Sequence, residues 1–211
     1  AFAPFSDGVS ASKWHVLVRF GMWQEILKEP GPPEWALVGK AMQHYAKGIA
    51  YANTERHEEA AEEIAALDDA VEKLVGKERK LGNQPASEVM KIAQQILRGE
   101  AAFKAGRREE GLKELKKAVN VEEKIVYAEP APWMMPARHA YGALLVVDGK
   151  YQEAEKVFIR DLEIYPANGW ALLGLRDALN GQGREDEAKH AERAFRRAWV
   201  SAAALGLLAH I

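Results

Sequence analysis

Residues of one kind recur along this chain at fixed distances from four anchors, and that recurrence limits the fold more than anything else in the sequence. The anchors are Gly48, Gly99, Gly142 and Arg176. Seven residues after them come Glu55, Gly106, Gly149 and Gly183. Eight after come Arg56, Arg107, Lys150 and Arg184, all basic. Eleven after come Glu59, Glu110, Glu153 and Glu187, and twelve after come the small residues Ala60, Gly111, Ala154 and Ala188. A weaker fifth copy starts at Trp14, with Gly21 and Glu25 at the matching offsets. A chain with such internal register is built from one supersecondary unit used repeatedly.

Each unit reads as a pair of helices. Leu112, Leu115, Val119 and Val126 recur on one helical face. Gly149 and Gly183 stand where a helix must stop, and glycine tolerates the left-handed backbone of such a stop. The Glu after each stop falls in the next helix's first turn, where the dipole favours negative charge. The small anchors and the small residues twelve later let two antiparallel helices approach closely. Tyr165-Pro166 closes one unit, since proline cannot continue a helix. No segment reads as a strand. Gly76 to Pro85 reads as a solvent loop, and Ala128 to Pro136 as an apolar, Pro-rich connector.

Successive anchors, counted from Trp14, lie 34, 51, 43 and 34 residues apart. The 34-residue period and the residues between Pro136 and Pro166 (Gly142, Leu145, Gly149, Tyr151, Ala154, Phe158) resemble the tetratricopeptide repeat (TPR) family. The resemblance extends over nearly the whole chain. Arg176 in place of a small residue and Gly111 in place of alanine depart from the pattern. The resemblance implies an all-α fold, a right-handed α-solenoid of antiparallel helix pairs with about four to five units. The expected division is a partial unit and linker at 1–34, two units at 35–127, the connector at 128–136, two consecutive units at 137–200 and a capping segment at 201–211. That last segment is expected to fold back over Phe195 and Trp199. The stretch from Val16 to Leu27, with Pro132-Trp133 and Asn168-Gly169, also resembles the C-terminal part of larger bacterial repeat proteins. The start at Ala1, without Met or a basic run, is expected for a mature form or a fragment that lacks a signal peptide.

In this family the first helix of each unit lines a concave surface. The offsets place Met42, Tyr45, Ile49 and Asn53 there, then Ile96, Glu100, Phe103 and Lys104, then His139, Ala143 and Val146, then Trp170, Leu173, Asp177 and Asn180. Such a wall suits an apolar or amphipathic protein segment or peptide. Trp133 and Met134 of the connector join this candidate set. The alternative is that these residues pack on the connector or on neighbouring helices.

Composition narrows the function. Lys and Arg number 29 against 31 Asp and Glu, and a net charge of −2 argues against a nucleic-acid partner. No apolar run is long enough for a membrane span. Zero cysteine removes thiol nucleophiles, disulfides and thiolate metal sites. No phosphate loop, His-Glu-x-x-His motif or Gly-x-Ser-x-Gly elbow is present, and the five serines have no His–acid arrangement. The sequence therefore predicts a non-enzymatic scaffold with no cofactor and no metal. Two alternatives accompany it: a structural role, in self-assembly through the apolar end faces or as a capping module of a larger repeat protein, and, remotely, copper bound by Met42, His44, Met134, Met135 and His139. Glu187 and His190 have di-iron spacing, but no second copy completes that site.

Overall fold

A computed structural model describes residues 3–126 and 128–204. The chain forms two compact units, Ala1–Ala137 and Arg138–Ile211. The part of the expected capping segment at 205–211 lies outside the described residues, while the last helix runs through Ala204.

Unit 1 holds three short helices, α1 (Ala3–Ser10), α2 (Ser12–Arg19) and α3 (Trp23–Lys28). Two long pairs follow, α4 (Leu37–Asn53) with α5 (His57–Glu72) and α6 (Ala86–Lys104) with α7 (Arg108–Glu122). Unit 2 holds α8 (Ala137–Val147, entered from the last residue of unit 1) with α9 (Tyr151–Ile164), and α10 (Gly169–Gly181) with α11 (Glu185–Ala204). The fold is all-α, built from consecutive helix pairs. Within unit 1, α6 packs on both α4 and α5, and within unit 2, α10 packs on both α9 and α11.

The repeated offsets correspond to one repeated turn. All five residues seven past an anchor have left-handed backbone: Gly21 (φ 64°), Glu55 (60°), Gly106 (85°), Gly149 (75°) and Gly183 (72°). The next residue's N–H then reaches back to the carbonyl five residues earlier. This bond is Met22 to Leu17 (3.0 Å), Arg56 to Tyr51 (2.9 Å), Arg107 to Ala102 (2.9 Å), Lys150 to Leu145 (2.9 Å) and Arg184 to Leu179 (3.0 Å). It satisfies a carbonyl that the ending helix leaves without a partner. The basic residue at this place then meets the Glu three further on. Arg56 Nε donates to Glu59 (2.8 Å), Arg107 Nε to Glu110 (2.9 Å) and Arg184 Nε to Glu187 (2.6 Å). Lys150 instead pairs with Asp148 at 3.0 Å.

Glycines mark the tightest crossings. A Cβ on Gly99 would lie 2.6 Å from Leu115, and one on Gly111 would lie 2.6 Å from the Gly99 carbonyl. Gly111 stands in for alanine because α6 and α7 leave no room for a methyl group there. In unit 2, Cβ atoms on Gly142 and Gly174 would lie 2.5 and 2.1 Å from the Phe158 ring. That buried ring of α9 is thus clasped between α8 and α10. Ala154 is fully buried in the same unit. Where Arg176 replaces the small anchor, its guanidinium bridges α10 to α11 through Glu192 at 2.9 Å.

One local reading differs. The segment after α5 carries a short antiparallel ladder, β1 (Lys80–Leu81) with β2 (Gln84–Pro85), where a solvent loop was expected. Leu81 is buried against α1, since a Cβ on Gly8 would come 3.8 Å from it and 2.6 Å from the Lys80 carbonyl. One apolar residue in a polar stretch gives little periodic signal, so the pairing is set by what α1 covers.

Candidate protein-binding site

In unit 1 the first-helix positions divide into buried and accessible sets. Met42, Tyr45, Ile49, Ile96 and Phe103 are buried. Asn53 and Glu100 are half-buried, and Lys104 is exposed. Asn53 Nδ2 donates to the Ile49 carbonyl at 3.0 Å and to Glu100 Oε2 at 3.3 Å, tying α4 to α6. Burial pushes the Glu100 carboxyl above its ordinary pKa, against the pull of the Asn53 hydrogen bond and of nearby Lys104. Burial also pushes the Tyr45 phenol well up, with the Glu100 charge adding to it and Arg19 opposing. The guanidinium of Arg108 lies over the Phe103 ring, 5.5 Å from its centre.

The cover over Tyr45 includes the connector. Trp133 is 3% exposed and meets two rings edge-on: His15 of α2 at 4.4 Å and Tyr45 of α4 at 5.3 Å between centroids. Pro132, also buried, packs on the β-turn, where a Cβ on Gly82 would lie 3.1 Å from it. Met134 is exposed. So Tyr45 packs on the connector, the alternative that the sequence left open for these positions. A partner reaches Met42, Tyr45 or Phe103 only if what covers them moves. His15 Nδ1 and Trp133 Nε1 are buried without a hydrogen-bond partner. Burial drives the His15 imidazole down to a pKa of about 4, and the Arg19 charge pushes the same way. His15 was not singled out by sequence, because a lone histidine on an amphipathic helix gives no signal of what packs on it.

In unit 2, His139 is buried and its Nε2 lies 2.9 Å from Asp161 Oδ2, so it joins α8 to α9 inside their pair. The α10 positions are more open. Asn168 caps this helix, accepting from the N–H groups of Trp170 (3.0 Å) and Ala171 (3.4 Å). Trp170 is half-buried and meets Trp199 edge-on at 5.8 Å, and the Phe195 ring lies tilted against Trp199 at 5.1 Å. Asp177 is half-buried beside Arg176 (2.7 Å), and Asn180 is exposed. Trp170, Leu173, Asp177 and Asn180 are spaced three or four residues apart and share one stripe of α10.

Each imidazole of the copper alternative faces a carboxylate. His44 Nδ1 lies 2.6 Å from Glu63, and His139 is paired with Asp161. Among the described residues no group of three or more His, Asp or Glu side chains is placed to hold a metal ion.

Among solved structures, the chain is similar to one from Podosopora anserina, described as kinesin light chain nearly identical TPR-like repeats. The TM-score is 0.55 at 15% identity, over 92% of this chain and 95% of that one. The fold is TPR-like. No protein-family model matches the chain, and no curated protein does. At this identity the likeness speaks for the fold of the TPR-like chain alone. Among its described residues no helix is long and apolar enough to cross a membrane.

Proposed function

We propose that this TPR-like chain is a non-enzymatic scaffold that binds a protein or peptide. The α10 stripe carries the reading. It offers an aromatic ring, Trp170, in line with polar Asp177 and Asn180, the first two partly accessible and the last exposed. Aromatic anchors beside polar groups that fix register are what helical and extended segments dock on. Lys104 is exposed and Asn53 partly accessible in the corresponding set of unit 1. The near-neutral charge suits a protein partner rather than a polyanion.

The test uses the full chain immobilised against lysate of the source organism, beside a Trp170→Ala/Asn180→Ala variant. A protein retained by the parent and lost from the variant, at unchanged helical circular dichroism, supports the stripe. Equal retention by both, or specific retention by neither, overturns it.

Self-association is a second reading, favoured by one observation. Val9 on α1, Val16 on α2 and Phe20 just after α2 are 58%, 48% and 47% exposed. In a second copy, or in a longer bacterial parent chain, this face would receive a further helix pair. Light scattering on Val16→Glu/Phe20→Glu separates the cases: a dimer that becomes a monomer supports self-association, and an unchanged mass removes it.

A further inference from the structure

Helix α11 outruns the helix it packs on. A Cβ on Gly169, the first residue of α10, would lie 3.1 Å from the Trp199 ring, so Trp199 stands level with the start of α10. The α11 backbone stays helical to Ala204, about 7.5 Å further along its axis. The same end of unit 2 carries the turn that leads into α10, where the Asn168 N–H donates to the Tyr165 carbonyl at 3.1 Å. That turn is apolar and faces outward. Ile164 is 41% and Tyr165 39% exposed, with Pro166 and Ala167 exposed beside them. Just behind this tip, Arg193, Arg196 and Arg197 are exposed on α11, about 3–9 Å short of Trp199 along the helix. Two carboxylates on these helices are already matched. Glu163 accepts from Arg160 at 2.7 Å, and Glu192 accepts from Arg176 at 2.9 Å and Arg196 at 2.8 Å. From Arg193 to Ile211 the sequence holds three arginines and no Asp or Glu, and from Ala198 to Ala209 it carries no charged residue.

We propose that this end of unit 2 seats in the interface of an anionic lipid membrane, with the three arginines at the headgroups and the apolar tip of Ile164, Tyr165 and Trp199 beneath them. The inference goes beyond the protein-binding reading and does not depend on it. The uncharged run after Arg197 is too short to cross a bilayer and suits an interfacial segment. A basic cluster and an apolar tip are each weak signals, and they hold a protein at a membrane when combined. A net charge of −2 over the whole chain hides the local cationic excess. A second copy would bring the same arginine rim, so like charge opposes the pairing of two tips, whereas anionic headgroups complement it.

The full-length protein is sedimented at about 0.1 M salt with vesicles of equal phosphatidylglycerol and phosphatidylcholine, and with vesicles of phosphatidylcholine alone. The anionic vesicles should bind it at least about ten-fold more tightly. Ile164→Ser/Tyr165→Ser should weaken that binding about three-fold or more. Arg193→Glu/Arg196→Glu/Arg197→Glu should abolish it. Arg193→Lys/Arg196→Lys/Arg197→Lys should keep it within about three-fold, because headgroups answer to charge rather than to the guanidinium fork. Helical circular dichroism checks each fold. If the triple Glu variant does not fold, the parent at about 0.5 M salt decides: release from the vesicles is expected, and retention overturns the proposal. Equal binding to both vesicle types, binding to neither, or a folded Ser or Glu variant that binds like the parent also overturns it. A dimer that Ile164→Ser/Tyr165→Ser breaks, seen by light scattering without vesicle binding, would assign the tip to a second copy instead.

Discussion

At the scale of single residues, the backbone conformation seven past each anchor was legible where glycine stood there. It was not legible at Glu55, whose left-handed φ of 60° follows only from the register it shares with Gly106, Gly149 and Gly183. A side chain in that region is disfavoured by about 1–2 kcal/mol, and Glu55 is exposed at the end of its turn. Glu55→Gly should therefore stabilise unit 1 by up to about 1 kcal/mol, less than the full relief because glycine also frees the unfolded chain. A denaturant midpoint that falls instead would mean the carboxylate has an unseen stabilising role. Gly111 behaves in the opposite sense. Restoring the family's alanine there puts a Cβ 2.6 Å from the Gly99 carbonyl and 2.8 Å from Phe103. Since backbone cannot rotate away, Gly111→Ala should destabilise by about 1–3 kcal/mol. Melting of this variant at or above the parent temperature would show that α6 and α7 separate easily.

At the scale of elements, pairing was readable because it is local, and what covers the pairs was not. Asp7 shows why. Its fully buried carboxylate accepts from the N–H groups of Val38 and Gly39 at 3.0 Å each and from Arg79 Nε at 3.1 Å. It thus caps α4, whose own preceding residue Ala36 has no side chain to do so. The cap comes from 31 residues earlier in the chain, so no local capping pattern announces it. The same carboxylate ties Arg79, next to the β-ladder, to α1. Trp133 on Tyr45 is a similar case: apolar periodicity marks the α4 face as one that must be covered, but not by which segment. Asp7→Ala leaves two amides and a guanidinium without their acceptor and should cost about 3–5 kcal/mol. It should also raise hydrogen exchange at Val38 and Gly39 before it alters α6 and α7. Uniform acceleration across unit 1 would instead make the cap part of a single cooperative core.

At the scale of the whole molecule, the unit count and the all-α class follow from offsets that any fold of this sequence must satisfy, whereas the accessible binding surface depends on tertiary cover. His15 makes that cover titratable. Its folded pKa of about 4 lies below the ordinary histidine value of 6.5 because burial penalises the imidazolium, with Arg19 adding to the effect. Between those two values the unfolded chain binds the proton that the fold refuses. Stability should thus be highest above pH 6.5 and decline as pH falls toward 4, by about 3 kcal/mol at most for this one group. Glu100 works against the trend, since a carboxyl raised by burial favours the fold at low pH. The contribution of His15 is therefore isolated by difference. His15→Leu should be destabilised at pH 7.5, where the neutral imidazole packs against Trp133, and its deficit should shrink as pH falls to 4.5. Urea midpoints of both proteins, read on Trp133 fluorescence through single-tryptophan labelling, measure that difference across the range. Parallel curves would show that His15 titrates alike in the folded and the unfolded chain, and the reading of a dry contact beneath Trp133 would fail with it.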